Sequence, residues 1–234
     1  MRHIVLGLGE VGTAIFNIIS EKHETATYDP VLAPNEPLGK FDVMHVCFPD
    51  NLSFVTIVNA YKEKYLTENG LIIVHSTVAV GTCSYIGAVH SPVRGKHPNL
   101  TESIRVFTKY FGGVRAHEAA QIFIDLGVTC VVYDKAENTE AGKLWDTTIY
   151  GVNIIVAKYV KAYCDKHGLD FDAVYSHPNR SYNDGYMAMM MPRFAKYVLN
   201  PVDGPIGGHC VIPNAKLLDS ELADWLVKEN EKLS

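Results

Sequence analysis

The stretch Ile4-Val5-Leu6-Gly7-Leu8-Gly9-Glu10-Val11-Gly12 decides the fold, because a short apolar run leads directly into three glycines spaced as GxGxxG. Apolar residues then recur at helical spacing as far as Ile19, which predicts a helix with one face on a sheet. Gly7 permits a tight turn, Gly9 lets the backbone approach a pyrophosphate, and Gly12 lets the helix lie close to the sheet. Strand, turn and helix together predict a dinucleotide-binding unit.

The second predicted strand ends at Asp29, about where an acidic side chain accepts hydrogen bonds from the ribose of NAD. The residues that follow, Pro30-Val31-Leu32-Ala33, include no base that could hold the 2′-phosphate of NADP. The first N–H groups of the helix would face the phosphates. The sequence therefore predicts NAD as cofactor, with a phosphate-binding turn formed by Gly7, Gly9, Glu10, Val11 and Gly12.

Short β-branched runs alternate with helical patterns through the first half of the chain, which is typical of βαβ units. Candidate strands are His3–Leu6, Thr25–Tyr28, Val43–Phe48, Leu71–His75, Ile86–His90, Val106–Phe111 and Val128–Val132. A long helical pattern follows and ends at Gly168. We expect an α/β fold with a Rossmann-type doubly wound parallel sheet over residues 1–134. The long connecting helix and a small helical domain, over residues 135–234, would complete the cleft.

Composition excludes several classes of protein. The 234 residues carry a net charge of −5, which leaves no basic surplus for a phosphate backbone. The apolar runs fall well short of the roughly 18 residues that span a bilayer, and the N-terminal run is too short for a secretory signal. We expect no nucleic-acid partner, no membrane association and a cytoplasmic location.

Cysteine and histidine spacing argues against disulfides and metal. The five cysteines are an odd number and match neither a disulfide framework nor a zinc ribbon, so we expect reduced thiols. His90, His97 and His209 could converge on a metal, but the chain has no HxH or HExxH spacing. We expect no metal site, and histidines that are separate surface or capping residues. Met187 and Met189–Met191 are expected to fill the core.

Four segments resemble the UDP-glucose/GDP-mannose dehydrogenase family, the nucleotide-sugar 6-dehydrogenases. Ser76–Thr82 resembles the family's STVPVGT segment, and His90–Pro92 resembles the segment that ends its next strand. Glu140–Leu144 resembles the start of its central helix, and Gly207–Pro213 resembles its GGHC loop. Their order and approximate spacing hold over nearly the whole chain. The sequence resembles a short form that lacks the family's C-terminal nucleotide-binding domain.

This resemblance implies an NAD-dependent oxidoreductase that acts on the CH–OH group of a sugar or nucleotide sugar. By resemblance, Thr77 and the glycine turn contact NAD, while Lys143 and Cys210 face the substrate. A buried lysine can steady a developing alkoxide. A thiolate can add to an aldehyde to give a thiohemiacetal, which can lose a second hydride to become a thioester that water hydrolyses. The resemblance also implies a homodimer, because the family pairs through this long helix, whose apolar residues exceed what one small domain would cover.

Three positions depart from the family pattern. Thr147 stands where the family has Asn, Asn214 where it has Asp, and Val93 where a Glu is common. We retain Thr147 and Asn214 as candidate site residues beside Lys143 and Cys210. The departures leave open whether oxidation removes two or four electrons.

Two alternative functions also remain open. A 3-hydroxyacid or 6-phosphogluconate-type dehydrogenase would use Lys143 but would not need Cys210. A non-catalytic NAD-binding protein would keep the sheet while its site has decayed.

Overall fold

The computed structural model describes residues 1–50, 52–95, 98–208 and 210–233. The internal contacts divide the chain into two compact units, Met1–Lys143 (unit 1) and Leu144–Ser234 (unit 2). This division falls inside a long helix. The predicted domain boundary between residues 134 and 135 stays a prediction.

A seven-stranded sheet forms the centre of unit 1, in the order β2-β1-β3-β4-β5-β6-β7. Its strands are β1 (Arg2–Leu6), β2 (Glu24–Tyr28), β3 (Phe41–Val46), β4 (Leu66–Val74), β5 (Val89–His90), β6 (Lys109–Gly112) and β7 (Cys130–Tyr133). All neighbours are parallel except β5 and β6, where His90 lies opposite Gly112. The α/β, Rossmann-type fold is confirmed, with one antiparallel pair that the sequence did not predict.

The helices of unit 1 follow the strands along the chain. They are α1 (Glu10–Ile19), α2 (Phe54–Tyr65), α3 (Thr82–Ile86), α4 (Leu100–Val106), α5 (Ala116–Ile124) and the start of α6 (Ala136–His167). Ile86 was expected in a strand and instead ends α3, because Gly81 and Gly87 adopt left-handed conformations at the two ends of this short helix.

Side chains alternate along the strands between two apolar clusters, as the twofold periodicity of strands requires. Val5, Val43 and Ile73 belong to the first cluster, together with the inner face of α1. Ile4, Met44 and Ile72 belong to the second cluster, together with Phe54 and Val58 of α2. Both faces of the sheet are therefore covered.

Strand β1 lies between β2 and β3, so the chain leaves β1 toward one edge and later returns to its other side. In open α/β sheets, ligands bind outside the carboxyl ends of the strands at such a switch point. Residues 7–9, which follow β1, lie at this position.

Unit 2 continues α6 and adds a π-helical turn (Asp172–Ser176), α7 (His177–Ala188), a 3-10 turn (Pro192–Phe194), α8 (Val211–Ala215) and α9 (Glu221–Glu231). Its core includes Leu144, Ile155, Val211 and Leu226. Helix α7 contains no buried residue.

The core role expected for the methionines was wrong. Met187 and Met189–Met191 are 37% to 88% exposed. They lie at the end of α7 and just beyond it, where the described residues of unit 2 leave them uncovered.

Among the residues that the structure describes, no helix combines the length and apolar character needed to cross a membrane.

Candidate functional site

The glycine turn has the geometry that its spacing predicts. Gly7 has φ of 87°, a conformation that a side chain disfavours. A Cβ atom on Gly12 would lie 1.7 Å from the carbonyl oxygen of Gly7, whereas a Cβ atom on Gly9 would meet nothing within 4 Å. Helix α1 therefore packs tightly at Gly12, and open space lies at Gly9, directly before the N-terminus of α1. These residues fit a dinucleotide pyrophosphate.

The Asp29 carboxylate is held against this turn. One oxygen accepts a hydrogen bond from the backbone N–H of Leu8 at 2.8 Å, and the other accepts bonds from Val31 and Leu32, both at 2.9 Å. These hydrogen bonds lower the pKa of Asp29, and the bond from Leu32 contributes most. The side chain is therefore a fixed anion beside the glycine turn, which is what a ribose-binding carboxylate requires.

The remaining residues predicted to bind cofactor lie at the edges of this region. Glu10 is exposed and Val11 is half-buried against the first apolar cluster. Thr77 follows β4 and is partly exposed. The neighbouring Ser76 hydroxyl donates to the carbonyl of Phe48 at 2.6 Å, which ties the loop after β4 to the loop after β3.

The first turns of α6 are anchored within unit 1 by Glu140, which is fully buried. Its carboxylate accepts hydrogen bonds from the backbone N–H groups of Gly81 at 2.7 Å and Cys83 at 2.8 Å. One turn later, Lys143 Nζ donates to the carbonyl of Val93 at 3.1 Å. The side chain of Val93 has no carboxylate, and its contact with Lys143 is made by the backbone carbonyl.

Within unit 2 the structure brings together two of the positions that depart from the family pattern. Asn214 Nδ2 donates to Thr147 Oγ1 at 3.2 Å, and the Thr147 hydroxyl donates to the carbonyl of Leu144 at 3.0 Å. Cys210 is an exposed free cysteine that directly precedes α8, and Asn214 lies in the first turn after it. Because Lys143 belongs to unit 1 and Cys210 to unit 2, their approach to one substrate stays a prediction.

The histidines correct one expectation. His3, His45, His75 and His90 are buried and are not surface residues. His90 bonds Thr139 Oγ1 at 2.9 Å and the carbonyl of Ser76 at 3.2 Å, and burial lowers its pKa to about 3. His97 and His209 lie outside the described residues. Within the described parts of the chain, no group of three or more His, Cys, Asp or Glu side chains could hold a metal ion.

Sequence reasoning missed a set of polar residues at inward-facing strand positions: His3, His45, His75 and Lys109. Each lies two residues from an apolar side chain of the first cluster, so it faces the same side of the sheet. The sequence shows this as a His or Lys two residues from an apolar residue within a predicted strand: His-x-Val, Val-x-His, Ile-x-His and Lys-x-Phe. A polar residue at a core position is the informative exception.

Comparisons with known proteins show the fold of this chain. UDP-D-ManNAc dehydrogenase from Pyrococcus horikoshii superposes with a TM-score of 0.79 at 19% identity, covering 100% of this chain and 69% of that protein. For UDP-N-acetyl-mannosamine dehydrogenase Cap5O from Staphylococcus aureus the TM-score is 0.74 at 19% identity, over 100% and 68% of the two chains. The chain has the fold of these dehydrogenases.

The same fold extends to a second group of dehydrogenases. The 3-hydroxyisobutyrate dehydrogenase from Mycobacterium tuberculosis gives a TM-score of 0.69 at 15% identity, covering 99% of this chain and 92% of that one. No family model matches the sequence, and no curated protein matches it. At these identities the structural similarity concerns the fold alone.

Proposed function

We propose that this protein is an NAD-dependent oxidoreductase that oxidises the alcohol group of a sugar or nucleotide sugar. The glycine turn carries the proposal, because it leaves space at Gly9 in front of α1 where a pyrophosphate would sit. The fixed Asp29 anion supports NAD over NADP, since it would repel a 2′-phosphate. When bound, NAD supplies the hydride acceptor.

In this proposal Lys143 and Cys210 are the two residues that carry out the chemistry. The Lys143 ammonium would steady the developing alkoxide and assist removal of its proton. The Cys210 thiolate would add to the aldehyde carbon to give a thiohemiacetal. This adduct would lose a second hydride to NAD, and water would hydrolyse the resulting thioester to the acid. Because Asn214 and Thr147 replace the family's Asp and Asn, we propose that acid release is slow or that oxidation ends at the aldehyde.

Cofactor binding is tested by calorimetric titration of Gly9→Val with NAD and NADP. Wild-type protein should bind NAD more tightly than NADP. Gly9→Val should fold normally, because its side chain meets open space, and should lose affinity for NAD by roughly tenfold or more. Gly185→Val is the matched control, since its Cβ atom also meets nothing within 4 Å. Equal affinity of Gly9→Val and wild type would contradict the proposed site.

The chemistry is tested by NADH formation and product analysis over sugar nucleotides, sugar phosphates and hydroxyacids. Lys143→Ala should slow the first oxidation by about 10²- to 10³-fold. Cys210→Ala should keep NAD affinity but form no acid, and mass spectrometry should detect a thioester only on a protein that retains Cys210. Acid formation by Cys210→Ala at the wild-type rate would remove this thiol from the mechanism. NAD binding without turnover on any substrate would indicate a non-catalytic protein.

If acid release limits the wild type, Asn214→Asp should speed it by supplying the missing carboxylate. Cys130→Ser is the control for the loss of a thiol. Cys130 lies in β7, at one edge of the sheet in unit 1, and has no role in the proposed reaction.

A second candidate is a 3-hydroxyacid-type dehydrogenase. It is favoured by the coverage of both chains in the comparison with 3-hydroxyisobutyrate dehydrogenase, 99% of this chain and 92% of that protein. Such an enzyme would depend on Lys143 but not on Cys210. Turnover of hydroxyacids that survives Cys210→Ala would support it over the nucleotide-sugar reaction.

We further propose a homodimer in the cytoplasm. Helix α6 carries large side chains that are 37% to 57% exposed in the single chain: Trp145, Ile149, Tyr150, Val156, Tyr159 and Tyr163. A twofold pairing would cover this apolar surface. The five free cysteines suit a reducing compartment. Light scattering that gives the monomer mass at micromolar concentration would contradict the dimer.

A further inference from the structure

Three fully buried imidazoles form a line across one face of the sheet. We call His3, His45 and His75 the histidine row. His3 Nδ1 lies 3.0 Å from His45 Nε2, and His45 Nδ1 lies 3.0 Å from His75 Nε2. Each ring therefore contacts the next through the same pair of atoms. The register makes this possible. Val43 lies opposite His3 and Ile73 lies opposite His45, so each next histidine lies two residues beyond the position opposite the preceding one.

The inner end of the row reaches a buried amine. His75 Nδ1 lies 2.8 Å from the carbonyl oxygen of Ser91, which also accepts a hydrogen bond from Lys109 Nζ at 2.9 Å. Lys109 Nζ lies 3.4 Å from His75 Nδ1. Lys109 is 4% exposed. The contacts thus run without interruption from Lys109 through three rings.

The outer end of the row lies beside His23. The rings of His3 and His23 stack with centroids 4.5 Å apart, and His23 is partly exposed. His3 Nε2 and His23 Nε2 are buried and have no hydrogen-bond partner among the described residues. Buried polar groups normally have a hydrogen-bond partner, so the unpaired His3 Nε2 is the free end of the row.

Aromatic rings, an imidazole and thiols surround the Lys109 amine. Its ammonium lies over the rings of Phe111 and Phe123, with centroids at 5.6 and 5.2 Å. Burial is the largest cause of the lowered pKa of Lys109, which is about 7; Cys47 and Cys130 raise this pKa by less, and Lys143 lowers it. No carboxylate of the described chain is among these causes. The proton of Lys109 therefore leaves and returns near neutral pH, although its nitrogen has no direct contact with solvent.

We propose that the histidine row is a proton relay by which the buried Lys109 amine exchanges its proton with solvent beside His23. The observed contacts fit the state with neutral Lys109, because His75 Nδ1 lies 2.8 Å from the Ser91 carbonyl oxygen and carries its proton there. In the charged state each ring carries its proton on Nε2, and Lys109 donates to the bare His75 Nδ1, which lies 3.4 Å from its Nζ in this structure.

One proton then passes from Lys109 to His75, one from His75 Nε2 to His45 Nδ1, and one from His45 Nε2 to His3 Nδ1. His3 Nε2 releases the last proton to a water molecule, which reaches this buried atom when the stacked, partly exposed His23 ring moves aside.

After this transfer every ring carries its proton on Nδ1, and His75 Nδ1 donates to the Ser91 carbonyl. The amine is neutral and one proton has left, so atoms and charge balance. The reverse sequence recharges Lys109. No ring has to remain an imidazolium, which agrees with the burial-lowered pKa values of all three: about 3 for His3 and well below the usual range for His45 and His75. Around His3, the charges of His23, the N-terminus and Asp42 contribute less than burial.

The test is the tautomer of each ring, read from long-range ¹H–¹⁵N correlation spectra of the full-length protein between pH 5.5 and 9. We expect three neutral rings that change together from Nε2–H to Nδ1–H as pH rises, with one shared midpoint near 7. Tautomers that do not change with pH, or rings with separate midpoints, would overturn the relay. A ring that becomes a stable imidazolium in this range would also overturn it. The wild-type titration alone decides between these results.

Two variants sharpen the test. Lys109→Met removes the proton donor, so the rings should stay as Nδ1–H at every pH, while Lys135→Met, which changes an exposed lysine, should leave the shared midpoint in place. His45→Phe removes the acceptor of the His75 Nε2 proton, so neither His75 nor His3 should show the pH-dependent change. A pH-dependent change at His3 that persists in His45→Phe would contradict transfer along the row.

Discussion

The two units treat unexpected side chains in opposite ways. In unit 1, inward-facing strand positions hold His3, His45, His75 and Lys109, which are polar but buried. In unit 2, Met187 and Met189–Met191 are apolar but exposed. Residue type alone would have assigned both groups to the wrong environment.

The difference lies in how strongly the local structure determines the direction of a side chain. In a strand, alternation sends each side chain to a definite face, so a residue two positions from Val5 or Ile73 has to enter the first cluster. At the end of α7 no such constraint acts, because nothing in that helix is buried. Burial therefore follows from position in the sheet in unit 1 and from packing partners in unit 2.

The largest expected effect compares two methionines, one from each unit. Met44 is fully buried in unit 1, and Met190 is 88% exposed in unit 2. Met44→Ala should lower the free energy of unfolding by about 2–5 kcal/mol, because it leaves a cavity in the second cluster. Met190→Ala should change it by no more than about 0.5 kcal/mol. Urea unfolding measures both, and a comparable loss for Met190→Ala would mean that this surface is covered in solution.

The second effect concerns the buried bases of unit 1. Burial lowers the pKa of Lys109 from 10.5 to about 7 and that of His3 from 6.5 to about 3. The unfolded chain therefore binds more protons between pH 3 and 6.5 through His3, and between pH 7 and 10.5 through Lys109. Stability rises with pH in both windows, by up to about 1.4 kcal/mol per pH unit for each proton.

Urea unfolding at a series of pH values checks this slope. Lys109→Met should flatten it between pH 7.5 and 10 and leave the acid window unchanged, while Lys135→Met should reproduce the wild-type curve. A wild-type stability that falls as pH rises from 7.5 to 9 would show that Lys109 is not buried as a neutral amine.

The smallest effect concerns the Asn214–Thr147 pair in unit 2. Asn214→Asp replaces the donor to Thr147 Oγ1 by an acceptor, while the Thr147 hydroxyl already donates to Leu144. We expect a loss of about 1 kcal/mol in the free energy of unfolding. Thr147→Asn should restore it in the double variant, because its amide can donate to the new carboxylate. Additive losses in a double-mutant cycle would show that the two side chains do not interact.

Much of the fold was predictable because its signals are local. The strand, glycine turn and helix from His3 to Ile19 follow from spacing alone, and all seven predicted strands are present with shifted ends. Helices α3 and α4 were missed because they have five and seven residues, too few to show a helical period. Helix α7 was missed because its polar and aromatic residues show no apolar stripe.

The candidate site was predictable in its parts. Gly7, Gly9, Gly12 and Asp29 could be placed from the sequence, since the turn and the strand end position them locally. The contact of Asp29 with Leu8 adds a link of 21 positions that only the pairing of β1 and β2 creates.

By itself, the sequence determined the α/β alternation, the tight turn at Gly7–Gly12 and the long helix, because each depends on neighbours within a few residues. The tertiary structure alone decided the antiparallel pairing of β5 with β6, the contact of Thr147 with Asn214 across 67 positions, and the histidine row. The row depends on the register of three strands that are distant along the chain. A hydrogen bond of 3.0 Å between two rings tolerates no slip of that register, because a shift by one residue would turn each side chain to the other face.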